Sequence, residues 1–338
     1  MKAVGYRESL PIAEPESLLD VELPEPEPSG RDLLVEVKAV AVNPVDTKAR
    51  MRQAAAKDGP PLVLGWDAAG VVVGTGPEAS LFSRGDEVWY AGSIARPGCD
   101  CERHLVDERI VGAKPRSLSF AEAAAMPLTS ITAWELLFDR FGVAPGKRPT
   151  GETLLVVGAA GGVGSMLTQL AHRLTGMTVI GTASRAQTRE WVLALGADHV
   201  IDHSRPLGAE LERIGIPRVT HVASLTQTAR HFAQIVECLA PQGRFGLIDD
   251  PPTLDIMPLK RKSVSVHWEL MFTRALFDTP DVIAQHRLLC EVAELVDHGV
   301  LRTTMAEHYG TVCAENLKRA HALIESGKAR GKIVLEGF

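Results

Sequence analysis

The sequence predicts an α/β protein in which a doubly wound parallel sheet is joined to a β-rich domain. Two observations predict this class. Apolar runs alternate with helical patterns from residue 153 onward, and shorter runs broken by glycine fill the first 120 or so residues. A length of 338 residues suggests about two domains.

The β-rich part comes first in the chain. Its strand-like stretches are "DLLVEVKAVAV", "PLVLGWDAAGVVVGTG" and "GDEVWYAG", and the Pro- and Glu-rich "LPEPEPSG" predicts a solvated turn between strands. We expect this domain to span residues 1–125 and a second, α/β domain to span 126–272. Residues 273–338 should return to the first domain.

From Thr153 the strand signals are "TLLVVG", "TVIGT", "DHVIDH", "VTHVASL", "GRFGLID" and "SVSVHW". Helical patterns separate several of them, as in a parallel sheet with crossover helices. The tail predicts a helix in "QHRLLCEVAELVDHG", a strand in "LRTTMAEHYG", a helix in "AENLKRAHALIESG" and a last strand in "GKIVLE".

A glycine-rich turn lies inside "TLLVVGAAGGVGSMLTQLAHRLTG". The apolar run before it predicts a buried strand. Afterwards apolar residues recur at helical spacing, and Gly176 is the predicted C-cap of that helix. An anion is favoured at such a helix N-terminus, so the pattern Ala159-x-Gly161-x-x-Gly164 predicts a pyrophosphate site. The residues of the turn are Ala159, Ala160, Gly161, Gly162, Val163 and Gly164. The alternative is a tight turn that binds nothing.

The segment after the second strand of this region indicates which dinucleotide is bound. An acid that would hold a ribose 2′-hydroxyl is missing between Gly158 and Glu190, and Ser184, Arg185 and Arg189 occupy the segment instead. Hydroxyl and guanidinium groups suit a 2′-phosphate, so we expect NADPH rather than NADH. Two solvated arginines on a helix are the alternative interpretation.

The net charge and the lack of targeting signals limit the kinds of partner that the protein is expected to bind. The net charge of −6 gives no general attraction to nucleic acid or to an anionic membrane. The N-terminus "MKAVGYRESL" is unlike a signal peptide, and no apolar stretch is unbroken enough to span a bilayer. We therefore expect a cytoplasmic protein whose partner is a small molecule.

Five scattered cysteines do not form a disulfide framework. In "CDCERH", Cys99, Cys101 and His104 lie close together, which suggests either a metal or redox site or small, weakly reactive side chains in a surface loop. The spacing is not that of a common zinc site, and we expect the second.

The whole chain resembles the medium-chain dehydrogenase/reductase superfamily. The stretches that carry the resemblance are "VAVNPVDTKAR", "LGWDAAGVV", "GDEVWYAG", "AAAMPLTSITAWELLF", "VVGAAGGVGSM" and "LGADHVID". Within it, the quinone oxidoreductase-like branch and its zinc-type alcohol dehydrogenase-like members are the most similar. The resemblance implies a GroES-like catalytic domain followed by a Rossmann NADP-binding domain.

The zinc ligands of the superfamily are not matched. Where zinc enzymes have cysteine and histidine, this chain has Asn43 and Trp66, which are poor zinc ligands. A lobe with four cysteines is also missing. Asp46, Asp67 and His104 are the alternative metal set, but we expect no metal.

The resemblance also implies roles for single residues. Ser184 and Arg185 would hold the 2′-phosphate, His203 would face the adenosine end, and Thr129 would lie near the nicotinamide. Further contacts with the dinucleotide are implied for Ser224, Thr226, Asp249 and, more weakly, for Asn43 and Lys332.

These residues predict hydride transfer from NADPH to a quinone or an α,β-unsaturated carbonyl compound, without zinc. A hydrogen-bond donor near the acceptor oxygen would stabilise the developing negative charge. The candidate donors are Asn43, Tyr90, Thr129 and Lys48. The alternative interpretation of Tyr90 is an aromatic side chain of the core. A zinc-dependent alcohol dehydrogenase and a non-catalytic NADPH-binding sensor are the other functions left open.

The aromatic stretch "HWELMFTRALF" predicts either a wall of the substrate cleft or a homodimer contact; we expect a homodimer.

Overall fold

The computed structural model describes every residue from Met1 to Phe338. It contains separate β-sheets; strand β3, the longest of the chain, belongs to one of them, and the buried strand β9 belongs to another. The strands are β1 (Lys2–Tyr6), β2 (Leu19–Glu22), β3 (Asp32–Val42), β4 (Leu62–Val63), β5 (Ala68–Thr75), β6 (Glu87–Tyr90), β7 (Arg103–Asp107), β8 (Val111–Ala113), β9 (Thr153–Val157), β10 (Thr178–Thr182), β11 (His199–Ile201), β12 (Val219–Ser224), β13 (Leu239–Leu247), β14 (Ser265–Trp268), β15 (Met305–His308) and β16 (Lys332–Glu336). The α-helices are α1 (Pro44–Arg52), α2 (Phe120–Ala124), α3 (Pro127–Trp134), α4 (Gly162–Leu174), α5 (Ala186–Ala194), α6 (Leu207–Arg213), α7 (Thr228–Cys238), α8 (Thr273–Phe277), α9 (Ile283–Asp297) and α10 (Ala314–Glu325).

The chain forms two units. One is continuous and runs from Thr132 to Met271, and the other combines Met1–Ile131 with Phe272–Phe338. We call them the continuous unit and the discontinuous unit.

The continuous unit contains one sheet of six parallel strands in the order β11-β10-β9-β12-β13-β14. The run Leu154–Val157 of β9 is buried, as expected for a strand in the middle of a parallel sheet. Helices α6 and α7 contribute Leu211 and Ile235 to the core behind these strands. Both the doubly wound sheet and its strand signals are therefore confirmed.

The discontinuous unit contains a seven-stranded sheet, in which six strands follow the order β15-β16-β3-β5-β6-β8 and β7 pairs with β3, and a three-stranded sheet, β2-β1-β4. Strand β16, close to the C-terminus, pairs antiparallel with β3, so that Ile333 lies opposite Val42. This pairing joins the tail to the first part of the chain, and it brings Lys332 beside Asn43.

Helix α9 covers the outer side of β8, the last strand of the seven-stranded sheet. The approach is close: a Cβ added at Gly112 would lie 2.5 Å from Leu289 Cβ, so only glycine fits in the strand at this point. The observed helix begins two residues before its predicted start.

The predicted C-cap at Gly176 is wrong. Helix α4 ends in the extended Thr175, whose hydroxyl donates to Ala171 O at 2.6 Å. A Cβ at Gly176 would lie 1.8 Å from Arg148 O, so glycine is needed there because a neighbouring backbone passes close by.

No α-helix of the structure is both long and apolar enough to cross a membrane.

Candidate nucleotide site and buried charge network

The glycine-rich turn joins β9 to α4. Gly158 has φ +87°, a left-handed conformation that favours glycine, and its amide donates to Thr182 Oγ1 at 3.1 Å. A Cβ at Gly164 would lie 2.4 Å from Gly158 O, so this glycine allows the turn and the helix to pack together. The sequence analysis did not single out Thr182. Its position at the end of β10, the strand next to β9, could have indicated a hydrogen bond to the glycine-rich turn.

The N-terminus of α4 has the features of an anion site. Gly161 precedes the helix in an extended conformation and supplies no side-chain cap, and Gly161, Gly162 and Val163 are partly exposed. The first amide N–H groups and the helix dipole favour a negative charge at such an end. Ala159 is buried beneath the turn and Ala160 is partly exposed.

Basic side chains follow β10. Ser184 and Arg185 are exposed, Arg185 is the N-cap residue of α5, and Arg189 is partly exposed one turn into that helix. These three residues thus lie just beyond the carboxyl end of the strand next to β9, which is where a doubly wound fold places the ribose of a dinucleotide.

His203 follows β11 and contacts a histidine that the sequence analysis missed. The rings of His203 and His231 pack edge to face with centroids 6.1 Å apart, and burial lowers the pKa of both imidazoles. Both are therefore neutral at pH 7. His231 lies 28 positions further along the chain, and no local pattern links the two.

Ser224 and Asp249 already have partners in the continuous unit. Ser224 Oγ lies 2.7 Å from Thr228 Oγ1, and Asp249 Oδ2 accepts from the Thr228 backbone N–H at 2.9 Å. Asp249 thus caps α7, while the exposed Thr226 packs beside Gly158. Contacts of these residues with a dinucleotide stay predictions.

A buried charge network lies in the discontinuous unit. Lys332 Nζ donates to Asn43 Oδ1 at 2.6 Å and to Val42 O at 2.8 Å, and it lies 3.0 Å from Asp67 Oδ2. Asn43 Nδ2 and the Leu128 backbone N–H donate to the same carboxylate at 3.1 Å each. Burial raises the pKa of Asp67, and the Lys332 ammonium and these donors offset part of the rise.

Asp46 extends this network. Its Oδ2 accepts from the Asn43 backbone N–H at 2.7 Å at the start of α1. Burial raises the pKa of Asp46 to about 7, and the Asn43 N–H and the Lys332 ammonium oppose the rise. Thr129 is also buried, and its hydroxyl donates to Met126 O at 3.0 Å.

Tyr90 is fully buried. Its hydroxyl lies 3.0 Å from His104 Nδ1, and His104 Nε2 lies 3.0 Å from Pro97 O. Cys99 and Cys101 are buried as well, so their predicted place in a surface loop is wrong. Burial raises the pKa of both thiols, which keeps them protonated and weakly nucleophilic.

The residues at the zinc-ligand positions do not fit zinc. Asn43 offers an amide oxygen, Trp66 donates its indole N–H to Ser93 O at 3.0 Å, and Asp67 is bound to the Lys332 ammonium. Neither an amide nor an indole is a zinc ligand of choice, and the ammonium already supplies a positive charge. No group of three or more His, Cys, Asp or Glu side chains gathers where it could hold a metal ion.

A six-stranded parallel sheet with a glycine-rich turn at its first crossover defines a dinucleotide-binding protein. Comparison with known proteins makes the assignment more specific. The family "Alcohol dehydrogenase GroES-like domain" matches residues 29–134, and the family "Zinc-binding dehydrogenase" matches residues 195–335. The chain belongs to the medium-chain dehydrogenase/reductase superfamily and is an oxidoreductase of that group.

Three relatives illustrate the similarity. A zinc-type alcohol dehydrogenase-like protein of Staphylococcus aureus is 37% identical over 337 residues, covering 99% of both chains. A crystal structure from Rhizobium etli, provisionally called a zinc-dependent alcohol dehydrogenase, is 58% identical with a TM-score of 0.95 and covers 100% of this chain and 98% of its own. Escherichia coli quinone oxidoreductase complexed with NADPH is 25% identical with a TM-score of 0.83, covering 99% and 100%.

Proposed function

We propose that this protein is an NADPH-dependent reductase that transfers a hydride to a quinone or an α,β-unsaturated carbonyl compound without zinc. The observation that carries the proposal is the combination of an uncapped, glycine-rich helix N-terminus with basic side chains after β10. When bound, the nicotinamide supplies the hydride, and the protein binds and orients the dinucleotide.

The preference for NADPH rests on Ser184, Arg185 and Arg189. These hydroxyl and guanidinium groups can donate charge-assisted hydrogen bonds to a 2′-phosphate, whereas the segment between Gly158 and Glu190 contains no Asp or Glu that could accept from a 2′-hydroxyl. The similar quinone oxidoreductase is named as a complex with NADPH, which supports the same preference.

The absence of zinc from the proposed reaction rests on the buried network. Asn43, Asp67 and Lys332 satisfy one another, so the charge that a metal would balance is already balanced. A simple ketone would lack strong polarisation in such a site. Quinones and enones need less, because conjugation spreads the developing negative charge.

We propose water as the proton source. The Asn43 amide donates to Ala41 O and Asp67, Thr129 donates to Met126 O, and the Tyr90 hydroxyl is paired with His104. Three of the four candidate donors, Asn43, Thr129 and Tyr90, are therefore engaged within the discontinuous unit. Donation by any of them would require one of these bonds to break, whereas water carries no such cost.

The test is NADPH oxidation by EDTA-treated protein, followed by absorbance, with a panel of quinones and enones and with NADH run alongside. We expect turnover that EDTA does not reduce, with NADPH preferred. NADPH binding without turnover of any acceptor would contradict the proposal and favour the non-catalytic sensor.

The names of the relatives favour a second candidate, a zinc-dependent alcohol dehydrogenase. Its test is elemental analysis of protein purified without chelator, together with alcohol oxidation before and after EDTA. One zinc per chain and an activity that EDTA abolishes would establish this second function and refute the zinc-free reductase.

We also propose that the protein is a homodimer joined through β14. This strand is the last of the six-stranded sheet, and an edge strand offers unpaired backbone groups to a second copy. Trp268 is 57% exposed and Leu270 is 52% exposed beside that edge, which is costly in an isolated chain. Light scattering should give twice the chain mass of 36.4 kDa, and Trp268→Glu should shift the mass toward one chain.

A further inference from the structure

A cysteine and a histidine lie together where α9 covers β8. Strand β8 is the last strand of its sheet, so one side of its backbone has no strand partner. Val111 C=O and Ala113 N–H are two residues apart and therefore point to the same side. His286 Nδ1 lies 2.6 Å from Val111 O. The Ala113 backbone favours the thiolate form of Cys290 and helps to lower its pKa.

His286 and Cys290 are one helical turn apart and share a face of α9. Cys290 Sγ lies 3.9 Å from both ring nitrogens of His286. Because Nδ1 must carry its proton to donate to Val111 O, Nε2 is the basic nitrogen that can take the proton of the thiol. Phe82 packs edge to face on the imidazole with centroids 5.6 Å apart, which holds the ring in place.

The surrounding charges favour an ion pair of thiolate and imidazolium. Burial opposes the thiolate, but His286 and the Ala113 N–H outweigh it and lower the pKa of Cys290, while Glu294 on the same helix acts against them. The contact with Cys290 and the bond to Val111 O raise the pKa of His286, as does the buried Glu108. Both residues are partly exposed, so we expect a small reagent to reach the sulfur.

The other cysteines differ from Cys290. Cys99, Cys101 and Cys238 are buried, and burial raises the pKa of each thiol. Cys313 is partly exposed and precedes α10, but no imidazole contact is found at its sulfur. Cys313 is therefore the matched comparison for accessibility.

We propose that Cys290 is a nucleophilic thiol that adds to carbon–carbon double bonds conjugated to a carbonyl group, which makes α9 a site of covalent modification. His286 Nε2 takes the thiol proton, and the sulfur forms a bond to the β-carbon as the π pair of the double bond moves toward the carbonyl. The imidazolium then returns the proton to the α-carbon. Thiol and acceptor combine in one adduct, and nothing is oxidised or reduced.

The experiment is a time course with limiting N-ethylmaleimide at pH 5 to 9, with each of the five cysteines followed by peptide mass spectrometry. We expect Cys290 to be labelled first, with a rate that levels off below the usual thiol pKa of about 8.5. His286→Asn keeps an amide donor for Val111 O but removes the base. The substitution should slow labelling of Cys290 at least about threefold at pH 7. A rise of one unit in the thiol pKa lowers the thiolate fraction about tenfold, and the greater intrinsic nucleophilicity of the more basic thiolate offsets part of that loss.

Cys313→Ser is the control and should leave the Cys290 rate unchanged. Labelling of Cys290 no faster than of Cys313 in the native protein would overturn the proposal. So would an unchanged rate in a folded His286→Asn variant, since a merely structural pair would lower stability and leave thiol reactivity alone. If that variant does not fold, the pH profile of the native protein decides: a rate that still rises through pH 8.5 to 9 overturns the proposal.

Discussion

Replacing Lys332 with methionine tests the buried charge network directly. The change removes the ammonium and leaves the Asp67 carboxylate, which is 0% exposed, with only the Asn43 and Leu128 donors. Removal of one partner from a buried ion pair costs about 3–5 kcal/mol, because the remaining charge is neither solvated nor paired. We expect Lys332→Met to lower the free energy of unfolding by that amount at pH 8.

The loss should depend on pH in a defined direction. Burial already raises the pKa of Asp67, and removal of the ammonium raises it further. A carboxyl group with a raised pKa in the folded state contributes most to stability at low pH, and this contribution falls by about 1.4 kcal/mol per pH unit as the pH rises toward the folded pKa. The variant should therefore lose less at pH 5 than at pH 8.

The assay is urea unfolding followed by circular dichroism at both pH values. Lys332→Met/Asp67→Asn should lose less than Lys332→Met alone at pH 8, because no buried charge remains. As a control, Lys38→Met breaks the partly exposed 2.7 Å pair with Glu36 and should change stability by no more than about 1 kcal/mol. A loss below about 1 kcal/mol for Lys332→Met at pH 8, or one that does not vary with pH, would refute the reasoning.

Four further outcomes are expected. Gly164→Ala should lower stability by about 1–3 kcal/mol and weaken NADPH binding in a fluorescence titration, because the added Cβ would clash with the Gly158 carbonyl oxygen. As a control, Gly208→Ala should change neither quantity, because a Cβ at Gly208 has no heavy atom within 4 Å. Arg185→Ala should lower kcat/KM for NADPH about 10- to 100-fold in steady-state assays and leave NADH unchanged, since only a 2′-phosphate loses a charge-assisted bond. Tyr90→Phe should keep kcat within about twofold while lowering the thermal midpoint, because the hydroxyl is buried; a loss above tenfold would make it a catalytic donor after all. Asp249→Ala should cost about 1–2 kcal/mol in urea unfolding through the lost cap of α7, and an unchanged midpoint would contradict that role.

Local patterns predicted the elements that depend on local physics. The alternating stretch at β3, the apolar run of β9 and the glycine turn could all be recognised, because burial on one or both faces and tight turns restrict residue types directly. The partners of Lys332 could not be recognised in this way. Asn43 is 289 positions away from Lys332, and only the pairing of β16 with β3 brings the two together.

The same limit applies to the site residues that turned out to have structural partners. Asp249 follows a strand end, where a cofactor contact is a reasonable expectation, yet its carboxylate caps a helix that starts 21 positions earlier. Gly176 was misassigned for a related reason. A glycine after a helix suggests a C-cap, but the close approach of Arg148 O explains it, and no pattern in the helix reports that approach.

The long sequence separation between Asp67 and Lys332 has a consequence for biosynthesis. The continuous unit has all of its strands once Met271 has left the ribosome, and it can fold at that stage. The discontinuous unit cannot complete its buried charge network at that stage, because the ammonium that neutralises Asp67 belongs to Lys332, which is made after the whole continuous unit. Until then the nascent N-terminal segment must keep that carboxylate hydrated or protonated. A chain interrupted before Lys332 would therefore carry a finished continuous unit and an unfinished discontinuous unit, a state that chaperones and proteases can distinguish from one in which both units are folded.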